Sequence, residues 1–148
     1  MTSTPVIAAR EKKGSRLTRS SKILKVITKA IQDKKGENII SMDLRKIPEA
    51  VADFFVICEA TSTTQVKAIA DFIEESVKLA CGENAYHHEG RSFSQWVIID
   101  YINVVVHVFL PETRKFYSLE EMWNDAVTEE HKDEPPVRKT VKRSNSKQ

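Results

Sequence analysis

Four histidines and two cysteines are the side chains of this 148-residue chain best suited to metal binding or nucleophilic chemistry. His87-His88-Glu89 is the densest group of metal-ligand types, with His107 as an outlying fourth. Adjacent residues on a strand point to opposite faces, so His87 and His88 cannot hold one ion without a bend. A polar strand end accounts for the same run. Cys58 and His107 are the types of a thiol nucleophile and its base. Cys58, however, sits after Phe54-Phe55-Val56-Ile57, where a free thiol packs as a small hydrophobe. Cys58 and Cys81 form no CxxC pair, which removes the simplest zinc and redox motifs.

The strand acids Asp43, Asp53 and Asp100 each stand alone, outside any DxD or DxE pair. Two-metal phosphoryl transfer needs such carboxylates grouped on one face. GxxxxGK[ST], GxGxxG and GxSxG are also missing from the sequence, so no recognised phosphate cradle or serine elbow is present. The expectation is a non-enzyme with no catalytic, cofactor or metal residue. Phe93 and Trp96 read differently: Trp96 opens a strand directly after a polar loop, and Phe93 lies in that loop. Large aromatics in such places serve as interface anchors or as core.

The elements that must position these residues follow from periodicity. Ser20 or Ser21 can cap a helix carrying Ile23, Ile27, Ala30 and Ile31 on one face, with Gly36 to stop it. Residues 38–44 and the nearly all-apolar 53–59 read as strands, the second central. Ser62-Thr63-Thr64-Gln65 is a capping-box pattern before Val66, Ile69, Ile73 and Val77. A short strand at 85–89 and a turn at Gly90 lead to two β-prone runs, 96–101 and 104–109. The gap of Ile102-Asn103 predicts a tight hairpin, with Asn103 taking the positive φ. Pro111 ends the hairpin, and Ser118-Leu119-Glu120-Glu121 predicts a last short helix carrying Met122, Trp123 and Ala126. The sum is an α+β (mixed α/β) domain, a single mixed sheet of about five strands with helices packed on it.

Charge divides the chain. Residues 20–128 carry 12 basic and 16 acidic side chains, net −4, whereas residues 1–19 are +4 and residues 129–148 are +2. Residues 1–19 read as a flexible basic arm, 20–128 as the folded domain and 129–148 as a disordered tail. An acidic core suits a basic protein surface better than phosphates. The Lys and Arg of the tails are candidates for RNA contact, although a solvated tail accounts for the same residues. No apolar run reaches the roughly 18 residues of a membrane span, and no signal-peptide core is evident, so the default address is cytoplasmic.

The segments ADFFVICEATSTTQVKAIAD, Glu89-Gly90, WVIIDYINVVVHVF and Arg114-Lys115-Phe116-Tyr117-Ser118-Leu119-Glu120 with Trp123 resemble the ribosomal silencing factor (Iojap) family. The resemblance runs from about Leu24 to Ala126. It implies a fold distantly similar to nucleotidyltransferases without their catalytic carboxylates. It also implies a translation repressor that binds protein fourteen of the large ribosomal subunit, blocks joining of the small one, and is associated with large-subunit assembly. Carried over by motif, the partner-binding residues are Trp96, Asp100, Tyr101 and Asn103, with Glu89 and His107 at lower weight. The family commonly has Gly-Asp where this chain has Ile102-Asn103, which removes one acidic contact. Two other classes compete: a nucleotidyltransferase that kept its fold, and an RNA-binding factor working through its tails. An exposed sheet edge further predicts a weak homodimer off the ribosome.

Overall fold

A helix on a sheet buries one stripe of side chains, and the first helix does so as its spacing predicts. In the computed structural model, which describes residues 21–132, α1 spans 21–33. It buries Ile23, Ile27, Ala30 and Ile31. Its exit differs from expectation: the left-handed residue is Lys35, φ 65°. Gly36 is needed for close packing instead, because a Cβ there would run into the Ile31 side chain.

Strands β1 (Glu37–Asp43) and β2 (Phe54–Glu59) pair antiparallel. Helix α2 (Thr63–Cys81) follows, capped by Ser62 Oγ accepting from the Gln65 N–H at 3.1 Å and ended by Gly82 at φ 69°. The Gln65 side chain does not complete the expected box. It donates to the Lys34 and Lys35 carbonyls at 3.2 and 3.3 Å and so closes the orphan end of α1.

Strands β3 (His87–Glu89), β4 (Trp96–Asp100), β5 (Val104–Phe109) and β6 (Val127–His131) complete one six-stranded sheet, order β3-β4-β5-β2-β1-β6. Only β2 and β5 run parallel, and the chain between them passes through α2 and then the antiparallel strands β3 and β4. The sixth strand is one more than the five expected. Val127–His131 is mostly exposed and shows no apolar alternation, so its strand character comes from the open edge of β1, with which it pairs throughout. The folded unit therefore runs past the 128 boundary. The basic arm, 1–19, and the rest of the C-terminal tail lie outside the described residues.

Pro111, expected only to end the hairpin, is the first residue of α3 (Pro111–Tyr117), a position where its missing N–H costs nothing. Ser118 at φ 51° turns the chain into α4 (Leu119–Met122) without a side-chain cap. The two sheet faces are unequally covered. One carries Val56, Cys58, Val97, Ile99, Val104, Val106 and Val108 against α1 and α2. The other carries Ile40, Met42, Phe55, Ile57, Val105 and Phe109, covered by the short Leu119–Trp123 segment and the 44–52 loop. No described helix is long and apolar enough to cross a membrane.

Candidate functional site

Register decides what this thinly covered face displays. Paired residues share a face, so Glu89, Ile98, His107 and Ile57 form a row across β3, β4, β5 and β2. A neighbouring row is His87, Asp100, Val105 and Phe55. Trp96 lies opposite Phe109 on the same face, and so Trp96, Ile98 and Asp100 project together, as alternation along the strand requires.

Gly90 delivers Trp96 to this place. Its φ is 94° and a Cβ there would meet the Trp96 backbone, so only glycine lets the loop cross so close. The Trp96 ring stacks on Phe109, centroids 4.9 Å apart, and leans on Tyr117 at 4.7 Å. Tyr117 meets Phe116 edge-on at 5.0 Å. Phe116 is 79 % exposed, Tyr117 48 % and Met122 66 %. Trp96, Tyr117 and Phe116 together make an aromatic shelf of the kind that marks a binding surface. On this face Glu89 is exposed and Asp100 half-buried, and exposed Glu121 lines a cleft with Phe116 and Lys115.

The individual candidates separate clearly. Glu89 Oε2 shares a hydrogen bond with His87 Nε2 at 2.7 Å. Asp100 Oδ1 accepts the Ile102 N–H at 2.7 Å, so the carboxylate shapes the hairpin turn as well as carrying charge. Asn103 is half-buried, and its carbonyl accepts from Asp53 and Phe54 at 2.9 and 3.0 Å. Tyr101, expected as a polar surface group of the turn, is 3 % exposed and belongs to the core shared with α2. One residue beyond Asp100, its side chain takes the opposite face.

His107 is also buried, among Phe55, Trp96 and Phe109, and so is not itself an open contact surface. Its Nδ1 accepts the Trp96 indole N–H at 3.1 Å. Cys58 pairs with Val108 on the other face of the sheet, so the thiol and imidazole never meet. Burial pushes the Cys58 thiol up to about 12, where it is no nucleophile. Among the described residues, no three His, Cys, Asp or Glu side chains are grouped to hold a metal.

The sequence did not single out Phe116, Tyr117 and Met122 as surface residues. The signal available was an aromatic pair on a proline-started helix, but nothing in it says which sheet face that helix covers.

Burial holds His107 well below the ordinary histidine range, at about 3. The native state keeps it neutral, while the unfolded chain takes up a proton near 6.5. Its contribution to stability is thus whole above pH 6.5 and is lost as pH falls from there toward 3. Acidification from pH 6.5 to 5 is expected to cost about 2 kcal/mol through this residue. Urea denaturation at the two pH values, on the wild type and His107→Leu, measures it as the difference in slope.

The hairpin turn also departs from expectation. Asn103 N–H donates to the Tyr101 carbonyl at 2.9 Å, closing a three-residue turn with Ile102 in the middle at φ 75°. The positive φ falls on Ile102, and Asn103 does not share it. A β-branched residue is strained there. Ile102→Gly is expected to stabilise the protein by about 1 kcal/mol, the strain relief exceeding the entropy cost of glycine. Equilibrium denaturation checks the sign.

The fold and shelf define a class: a single-sheet α+β domain with one face closed by long helices and the other left as an aromatic surface with acidic groups beside it. Residues 17–148 match the family described as ribosomal silencing factor during starvation, and the chain belongs to that family. The ribosomal silencing factor of Halalkalibacterium halodurans is 38% identical over 111 residues, covering 75% of this chain and 93% of that one. The Bacillus subtilis protein of the same name is 40% identical over 104 residues, covering 70% and 86%. A crystal structure of a Chromobacterium violaceum protein superposes with a TM-score of 0.66 at 33% identity, covering 70% of this chain and 85% of that one.

Proposed function

We propose that this protein is a translation repressor that docks on the large ribosomal subunit through its protein fourteen and keeps the small subunit from joining. The observation that carries the reading is the Trp96–Tyr117–Phe116 shelf, on a sheet face that the fold leaves thinly covered. Aromatic side chains bring large rigid contact area at little entropic cost and dominate interface energetics. Half-buried Asp100 and exposed Glu89 and Glu121 suit a basic partner, since charge complementarity raises on-rate and selects among partners.

The mechanism is occupancy. A folded domain held on the joining surface excludes the other subunit, and no bond is made or broken. A pull-down with isolated protein fourteen, followed by a subunit-joining assay with purified subunits, tests both parts. Stoichiometric binding with loss of joining is the expected result. Binding to naked ribosomal RNA but not to protein fourteen would move the contact to the basic tails.

A further inference from the structure

We propose that His107 is the positioning residue of the Trp96 anchor, its Nδ1 accepting the indole N–H at 3.1 Å and fixing the ring in the orientation that docks. The inference rests on the docking reading above. The strand β5 is Val-Val-Val-His-Val-Phe, buried along its whole length, and His107 is its one polar member. Packing alone does not call for an imidazole there. Nδ1 accepts from Trp96, so the proton of the neutral ring sits on Nε2, which has no hydrogen-bond partner and is buried. An unpaired buried donor costs stability that a leucine would not.

What the imidazole supplies, and an aliphatic residue cannot, is an acceptor at one fixed point beside the shelf. Phe55 packs edge-on against His107 at 4.7 Å, so the acceptor is itself held. Trp96 is then fixed three ways: by Phe109 on a ring face, by Tyr117 beside it and by the hydrogen bond. Rotamer freedom lost before docking is not lost again on docking. The arrangement also sets specificity. The indole's single N–H is already engaged, so Trp96 offers a partner only aromatic surface. The group that covers it must be apolar or a cation lying on the ring, and not a hydrogen-bond acceptor.

The test uses the full chain, with His107→Leu to remove the acceptor and His107→Asn to keep a carbonyl oxygen near the Nδ1 position. Affinity for isolated protein fourteen is measured for each. The indole N–H resonance of Trp96 is followed in a Trp123→Phe background, which leaves one tryptophan. His107→Leu should melt no lower than the wild type, yet dock about tenfold more weakly, the effect of one ordered side chain set free. Its indole resonance should move upfield and exchange faster with solvent. His107→Asn should restore the resonance and most of the affinity. A folded His107→Leu that docks normally overturns the proposal, as does a His107→Asn no better than leucine. Trp96→Ala in the same assay separates the two levels. If it is weak while His107→Leu is normal, only the positioning role fails; if it docks normally too, the surface itself is wrong.

Discussion

Arg114→Ala is expected to destabilise the protein by about 3–5 kcal/mol, the cost typical of removing one partner from a buried ion pair. Arg114 is 9 % exposed and joins four separate elements. Its Nη1 donates to Glu59 Oε1 at 3.1 Å and to the Asn38 carbonyl at 2.7 Å. Nε and Nη2 both reach Glu120 Oε2, at 3.1 and 2.9 Å. Asn38 Nδ2 in turn donates to the other Glu59 oxygen at 3.0 Å, so β1, β2, α3 and α4 meet in one network. Glu120 is more open to water than Glu59, and the stranded Glu59 carboxylate and Asn38 carbonyl carry most of the loss. Arg114→Lys should recover little, because one ammonium cannot span both carboxylates and the carbonyl. Arg114→Met combined with Glu59→Gln should recover much of it, since neither half is then a lone buried charge. Urea denaturation of the four proteins measures these differences. Equal stability of Arg114→Ala and wild type would mean the network is solvated and contributes nothing. The same anchor holds α3 on the sheet, so a folded Arg114 variant should also loosen Tyr117 from Trp96.

Trp96→Ala is expected to weaken docking on the large subunit by about thirtyfold, corresponding to the roughly 2 kcal/mol of a central aromatic anchor. Subunit joining should recover in parallel, because occupancy is the whole mechanism. Asp100 needs two substitutions to read. Its carboxylate accepts the Ile102 N–H at 2.7 Å, so Asp100→Ala disturbs the turn as well as removing charge. Asp100→Asn keeps an acceptor, and should weaken docking less than Trp96→Ala while lowering its salt dependence. Circular dichroism confirms that each variant is folded, a needed control because Trp96 also packs on Phe109. A folded Trp96→Ala that silences ribosomes at the wild-type concentration would place docking elsewhere on the protein.

Local patterns in the sequence were enough for every element whose own side chains specify it. The Ile23, Ile27 and Ile31 stripe, the Ser62 cap and the two apolar runs of the hairpin act through neighbours a few residues away, and each stands where its spacing puts it. Alternation along β4 likewise places Trp96, Ile98 and Asp100 on one face before any fold is known. Family membership was legible too, because it rests on the order and spacing of residues such as Trp96, Asp100, Arg114 and Tyr117.

Contacts between distant segments were decided only by the tertiary structure. Strand β6 has no apolar period and forms because β1 leaves an unsatisfied edge. Gln65 finds the carbonyls ending α1, some thirty residues back, in place of its own helix start. Cys58 and His107 look compatible in a list of residues, but the parallel pairing of β2 with β5 puts them on opposite faces. Tyr101 is polar by type and buried by parity. Phe116 and Tyr117 became part of the shelf through Arg114, which fixes α3 on the side of the sheet where Trp96 emerges. Periodicity reports which face of an element is apolar, whereas pairing register and helix placement decide what that face meets, and a functional surface is made of those meetings.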